Sequence, residues 1–430
     1  MLNLNYHLEK LESEGKFINI GLVGAGQMGR GMVSQMFLMK GIKACIVSDI
    51  VLENAINAYI LAGIKEEDIK VADDIKEAQR FIEQGYFVVT KYAEIVTSTP
   101  SVDVVIEATG VPEVGARVAY SAILNRKHIV MLNVETDVTI GPILKKMAHS
   151  AGVVYTVSAG DEPGAVKELY DFADGLGFEV LVIGKGKNNP VDRHAIPDSQ
   201  IERAQKEKAN PKMFTSFVDG TKTMVEMTCV SNATGFLPDV RGMHGVNGKW
   251  ENLVDILKLT KEGGILNSYK VVEYVNGVAP GVFVIVRTSL EAINEELRYL
   301  KMGEGPNYLL YRPYHLTSIE TPISAVRAYI YHEPTIAPKG KPFSETVTVA
   351  KKDLKEGEFL DGIGMYTIYG LIEKYESAKA MNALPIGLVN KNTKVKRNIK
   401  KDEIITYDDV ELDNNSIVVQ LRKLQDSLLG

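Results

Sequence analysis

Short apolar runs alternate with amphipathic stretches over the first 158 residues. Ile18–Val23 and Lys43–Asp49 read as strands, and Phe87–Thr90 as a shorter one. Val104–Gly110, His128–Asn133 and Val153–Ser158 continue the series. Helical spacing lies between them, from Gln27 to about Met39, over 52–62, from Val114 to Leu124 and from Ile143 to Ser150. Leu4, His7, Leu8 and Leu11 predict a leading helix. Strands alternating with helices predict an α/β fold built on a doubly wound parallel sheet.

The pattern changes at about Ala159. A helix over Val166–Leu176 precedes a strand, Glu179–Gly184, and a polar loop. Met213–Val218 reads as extended, Asp219-Gly220 as a turn and Thr223–Thr234 as a helix. Gly281–Arg287 is a strand, Ile293–Leu300 a helix and Asn307–Tyr311 a short strand. Residues 159–331 are therefore read as a second α/β domain that handles substrate, with 319–331 a candidate to return to the first. Residues 332–342 hold three prolines, one glycine and two lysines and read as a linker. Beyond it, Val349–Leu360 is echoed by Val395–Thr406, which predicts a small β-rich domain over 343–430, closed by a helix near Val418–Leu429.

The first strand breaks into Gly24-Ala25-Gly26-Gln27-Met28-Gly29, a G-x-G-x-x-G turn opening a helix. Gly24 permits the tight turn, Gly26 lets a pyrophosphate approach the backbone, and Gly29 lets the helix lie close to the sheet. The next strand ends in Asp49, twenty positions beyond Gly29, about where a dinucleotide fold places an acid for the adenosine ribose. Residues 1–158 are thus read as a dinucleotide-binding Rossmann domain. Ligands in such sheets bind beyond the carboxyl ends of the strands. That rule adds Thr109, Gly110, Asn133, Glu135 and the Ser158–Gly164 turn to the cleft.

Composition narrows the classes. The 430 residues suit two or three domains, and a net charge of −6 argues against a nucleic-acid-gripping protein. Cys45 and Cys229 lie in apolar segments without metal-ligand spacing, as expected of reduced thiols in a cytoplasmic protein. The first residues carry no sustained apolar core of a signal peptide, and no apolar run is long enough for a membrane span. H-E-x-x-H, G-x-S-x-G and C-x-x-C are absent from the sequence.

Other polar groups are candidates for chemistry. Gly184-Lys185-Gly186-Lys187-Asn188-Asn189-Pro190 is read as a loop whose lysines suit a phosphate or a developing oxyanion and whose asparagines suit hydroxyls; a solvated basic loop is the alternative. Asp161 and Glu162 precede a helix, as capping acids, a general acid/base pair or ligands of a divalent cation. Arg241 could fork onto a phosphate and His244, in the same glycine-flanked loop, could move a proton. Lys301–His315 is dense in glycine, tyrosine and cations.

Several of these motifs resemble one family. They are Gly24–Gly29, Glu107–Val114, Ser158–Pro163, Gly184–Pro190, Phe217–Met227, Arg312–Leu316 and Ala383–Leu388. Over nearly its whole length the chain resembles the homoserine-dehydrogenase-like oxidoreductases with a C-terminal SAF domain. Within them it is similar to the deoxyxylulose-phosphate-reductoisomerase-like enzymes of isoprenoid precursor synthesis. The resemblance implies an NAD(P)H-dependent reductoisomerase converting 1-deoxy-D-xylulose 5-phosphate to 2-C-methyl-D-erythritol 4-phosphate. A simple dehydrogenase on a sugar acid or polyol is the alternative, and a non-catalytic dinucleotide-binding regulator the second. It implies catalytic roles for Lys185, Lys187, Asp161, Glu162 and His244. Asn188, Asn189, Arg241, Lys301, Arg312 and His315 would bind substrate. The family points to NADP, whereas Asp49 points to NAD; a divalent metal is a further expectation. Val134 follows Asn133 where homoserine dehydrogenases carry lysine. A small-molecule substrate and a homodimer, by analogy with such folds, complete the expectations.

Overall fold

The computed structural model describes residues 3–206 and 210–429. They fall into two compact units. The first is Met1–Gly164 with Leu316–Ala337 and Leu421–Gly430; the second is Ala165–His315 with Pro338–Gln420.

The first unit is a Rossmann-type α/β layer structure. Its strands are β1 (Ile18–Val23), β2 (Ile42–Ser48), β3 (Ile69–Val71), β4 (Phe87–Thr90), β5 (Val104–Glu107), β6 (His128–Met131) and β7 (Tyr155–Val157). They form one sheet in the order β3-β4-β2-β1-β5-β6-β7, every pair parallel. Helices cover such a sheet, so its central strands are apolar throughout rather than alternating. Ile18, Ile20 and Leu22 of β1 are wholly buried and pack with Met32 and Met36 of the helix Gln27–Leu38. The helix Thr321–Ile330 adds Ala325 and Val326 to this core. The segment behind it reaches the sheet edge, where the Val157 N–H donates to the Ile336 carbonyl at 2.8 Å.

One helix is much longer than the sequence pattern predicts. It runs from Val134 to Ala151, not from Ile143. Residues 134–144 are buried all round, so no polar face marks them as helical. Asn133 caps it, accepting from the Thr136 N–H at 3.2 Å. Pro142 inside it lacks an N–H, and the ladder opens there. The Ile143 N–H donates to Gln425 Oε1 at 3.2 Å, while the Thr139 carbonyl accepts from Gln425 Nε2 and Arg422 Nη1. Gln425 and Arg422 belong to the last helix, Ile417–Leu429.

The second unit holds a mixed sheet of β8 (Glu179–Lys187), β9 (Leu237–Pro238), β10 (Val246–Asn247), β11 (Val271–Asn276), β12 (Val282–Arg287) and β13 (Asn307–Arg312). Its order is β10-β11-β8-β12-β13, with β9 also on β11. The helix Thr221–Thr234 is buried along its length against it. Met213–Val218 is not extended as expected: it lies in a helix, Pro211–Val218. Pro211 takes the first helical position and the Asn210 side chain caps the Lys212 N–H at 2.9 Å, overriding the aromatic and β-branched content.

The C-terminal stretch is not a unit of its own. β14 (Ser344–Ala350) and β15 (Ile368–Lys374) form an antiparallel pair. Val347, Val349, Tyr369 and Ile372 share one apolar cluster with Ile183, Met224 and Val284, so the expected boundary at 343 gives way to a continuous core. The expected linker is likewise built in: Ile336 belongs to the first unit, and in the second the Lys339 N–H donates to the Asn232 carbonyl at 2.9 Å. The internal echo pairs with itself through antiparallel bridges Val349↔Ile404 and Leu354↔Ile399. Among the described residues no helix is long and apolar enough to cross a membrane.

Candidate functional site

In the first unit, strand order reverses between β1 and β5, and the glycine turn sits there. Gly24 has φ +99°, and a Cβ on it would stand 2.9 Å from the Ala108 carbonyl carbon and oxygen. A Cβ on Gly29 would lie 2.0 Å from the Gly24 oxygen, so the helix can pack this closely only without a side chain. Gly26 differs: a Cβ there meets nothing within 4 Å. The glycine leaves open space at the N-terminus of the helix Gln27–Leu38, which has no side-chain cap. Gln27 is exposed and Met28 partly buried beside it. Unused N–H groups with a partial positive charge facing open space are what a pyrophosphate needs.

Asp49 follows β2 and is tied to this turn. Its Oδ2 accepts from the Ala25 N–H at 2.8 Å, and its Oδ1 accepts from the Val51 N–H at 2.9 Å and from Asn54 Nδ2 at 3.2 Å. A carboxylate has about four acceptor positions, which leaves capacity for a ribose hydroxyl. Ile50 beside it is 88% exposed and offers an apolar face suited to an adenine ring.

Thr109, Gly110 and Asn133 lie beyond the ends of β5 and β6, as expected. Gly110 is exposed with φ +67°. Asn133 Nδ2 donates to the Val111 carbonyl at 3.1 Å. Glu107, the last residue of β5, opens the Glu107–Val114 motif, which by itself assigns it no role. It is fully buried, its Oε1 accepts from the N–H and hydroxyl of Thr109, and its Oε2 has no partner. Burial pushes its carboxyl up to about 7, against the Thr109 bonds that favour the charged form. A carboxylate closing an apolar strand was the signal that could have found it.

Asp161 is buried in the Ser158–Gly164 turn, and Glu162 opens the helix Glu162–Gly175. The turn is tight: a Cβ on Gly164 would lie 2.2 Å from the Ser158 oxygen, and one on Gly160 2.3 Å from the Thr317 oxygen.

In the second unit the two lysines are not on a loop. β8 runs through Lys187, and both are buried on one sheet face, at 5% and 6% exposure. The solvated-loop alternative is thereby removed. Lys185 Nζ donates to Glu226 Oε2 on the buried helix, and Lys187 Nζ to the Phe217 carbonyl at 2.6 Å. Nearby in sequence, buried Asp219 pairs with Lys351 at 2.9 Å; Lys351 also donates to the carbonyls of Ala195 and Met365. Burial pushes the Asp219 carboxyl up, opposed by Lys351. The partners Glu226 and Lys351 are far away in sequence, and no local spacing announces them.

His244 is held from two sides. Its Nε2 meets Asp239 Oδ2 at 2.8 Å, and its backbone N–H donates to Glu273. Asp239 also accepts from Asn267 and Ser268. Burial works to raise its carboxyl, yet these donors together hold it below the usual range. Glu273 takes further N–H donors from Gly245 and Tyr274, while burial pushes its carboxyl up.

The expected pocket cations divide. Arg241 is bonded to Glu373 at 2.5 Å, and Arg312 stands 3.6 Å from Glu168 and over the Tyr314 ring. Lys301 is exposed in a left-handed turn after the helix Glu291–Tyr299. Asn188 is exposed, Asn189 accepts from Arg203 at 2.8 Å, and His315 Nδ1 meets the Pro280 carbonyl at 2.7 Å.

Residues 160–321 match the family model described as "Oxidoreductase DRL, catalytic domain". Among solved structures, a probable dehydrogenase from Thermotoga maritima is similar, at 13% identity and a TM-score of 0.40, over 75% of this chain and 90% of that one. A scyllo-inositol dehydrogenase from Lactobacillus casei, with bound NAD(H) and scyllo-inositol, is similar at 14% identity and 0.38, over 69% and 76%. No curated protein matches the chain significantly. The family match, which spans the buried lysines, Glu226, Asp239 and His244, defines the chain as an oxidoreductase.

Proposed function

We propose that this oxidoreductase is nicotinamide-dinucleotide-dependent and interconverts a carbonyl and a carbinol on a small hydroxylated or phosphorylated substrate. One observation carries the reading: the open space over Gly26 at the uncapped helix start, with Asp49 fixed beside it and Ile50 exposed. The bound cofactor would supply or accept hydride at the substrate carbon. Lys185, paired with Glu226, is the proposed proton carrier for the substrate oxygen, and Lys187 a stabiliser of its developing charge.

Within this class the motif resemblance favours the rearranging version. An α-hydroxyketone phosphate would shift its carbon skeleton to an aldehyde, which is then reduced. Asp161 and Glu162 are the acids proposed to hold a divalent cation if one takes part.

Titration of the protein with NADH and NADPH, followed by nicotinamide fluorescence, tests the class; failure of both to bind removes it. Asp49→Ser with Ile50→Arg should shift preference toward NADPH by about 1–3 kcal/mol. Affinity for both should fall somewhat, because the Ala25 N–H loses its acceptor. Deoxyxylulose phosphate with reduced cofactor and Mg²⁺ or Mn²⁺ tests the finer reading by carbon NMR of the product. A branched product is expected; an unbranched polyol phosphate leaves a plain dehydrogenase and removes the rearrangement.

A further inference from the structure

Arg193 lies outside every motif the sequence brought forward. It is partly buried, and among the described residues it forms no ion pair with a carboxylate. Its guanidinium stands 5.9 Å from the centroid of the Tyr369 ring. The Gly242 backbone, at φ +76°, comes close beneath it: a Cβ there would be 3.5 Å from Nη2. Burial and then the Glu273 charge push the Tyr274 hydroxyl up, and the Arg193 charge opposes them. A Cβ on Gly245 would lie 2.1 Å from the Tyr274 hydroxyl, so two left-handed glycines clear the backbone away from an arginine and a tyrosine hydroxyl.

The carboxylates in this neighbourhood are already occupied. Asp402 accepts from His194 Nε2 at 2.8 Å and from the Tyr369 hydroxyl at 2.9 Å. Glu273 takes the backbone N–H groups of His244, Gly245 and Tyr274. Arg241, next to Gly242 in the chain, is neutralised by Glu373. Arg193 is left as a partly desolvated fork without a counter-charge, an arrangement that costs free energy until an anion meets it.

We propose that Arg193, with the hydroxyl of Tyr274, forms an oxyanion subsite that takes the phosphoryl or carboxylate group of the substrate. The fork geometry of a guanidinium suits two oxygens of one such group, and Tyr274 supplies a neutral donor, the Tyr369 hydroxyl being spent on Asp402. The subsite gives the proposed oxidoreductase a preference for anionic over neutral polyols, and so rests on that reading only for the identity of its ligand.

The test uses the full chain and simple anions. Inorganic phosphate and malonate, each against sodium chloride of equal ionic strength, should raise the melting temperature of the unaltered protein. The arm with the larger effect identifies the anion class. Arg193→Met should weaken that anion at least tenfold and Tyr274→Phe several-fold, while Arg193→Lys, which keeps charge but not the fork, should fall between. NADH binding should be unchanged in all three, which separates this subsite from the cofactor reading. Equal anion stabilisation in unaltered and Arg193→Met protein would overturn the proposal, as would no stabilisation by either anion. Should Arg193→Met not fold, unchanged anion affinity in both Tyr274→Phe and Arg193→Lys overturns it equally.

Discussion

Glu107 and the Lys185–Glu226 pair show how single residues set stability and pH response in this protein. Burial holds the Glu107 carboxyl up to about 7, above its value in an unfolded chain. The folded state therefore binds this proton more tightly. The stabilising contribution is full below the unfolded value and is lost as pH rises through about 7. The gap corresponds to roughly 3 kcal/mol. His128 works oppositely: burial, then His332, pushes it down to about 4, so its contribution grows as pH rises through its unfolded range. Denaturant titrations of Glu107→Gln against the unaltered protein isolate the first effect. The variant should gain relative stability between pH 5 and pH 8, and a constant difference across that range would contradict the assignment. Lys185→Met removes a cationic partner of the Glu226 carboxylate, which is 2% exposed. Breaking a buried ion pair by removing one member costs up to about 3–5 kcal/mol, so this variant should melt lower. Lys185→Met with Glu226→Gln should recover much of that loss. Turnover should stay about 10²–10³-fold down in both, because the double variant restores no proton carrier.

At the scale of elements, the informative one is the helix Val134–Ala151. Pro142 opens its ladder, and the Gln425 amide satisfies both the Ile143 N–H and the Thr139 carbonyl. The last helix is thereby stitched into the first unit. Gln425→Leu leaves the buried Ile143 donor unmet, at about 1–3 kcal/mol. Arg422, which also reaches the Thr139 carbonyl, limits the loss. Hydrogen exchange should report it locally: the Ile143 amide should exchange faster in Gln425→Leu, while amides of β1 and β5 hold their protection. Uniform exchange across the first unit would show that the contact is not local.

The whole molecule is threaded so that neither unit is one continuous piece of chain. Residues 316–337 and 421–430 return to the first unit, and 338–420 complete the second. A chain ending near Lys339 would lose β14, β15 and the last helix together. It would expose Ile183, Met224 and Val284 and leave Ile143 and Thr139 unpaired. Such a truncation should be insoluble or lack a cooperative transition by circular dichroism. A soluble, cooperatively melting 1–339 chain that still binds NADH would show that the first unit does not need its C-terminal piece.

The amino-acid pattern alone determined the parts of this protein that depend on near neighbours. The turn Gly24–Gly29, the strands β1, β2, β5 and β6 and the acid at Asp49 are all set by short apolar runs, glycine sterics and spacing. Each occupies the place in the sheet that those rules require. The buried start of the helix at Val134 was not legible, because a helix buried on every side carries no amphipathic period. Nor was the Pro211–Val218 helix, where an asparagine cap outweighed composition. Tertiary structure alone decided what each polar group does. Lys185 meets a carboxylate 41 positions away and Asp219 a lysine 132 positions away. Desolvation then makes each partner obligatory, whereas in the sequence the same residues are only charges on a line. Arg193 is the converse: its sequence surroundings are unremarkable, and only folding brings it to Tyr369, Gly242 and Tyr274 with no acid to meet it among the described residues.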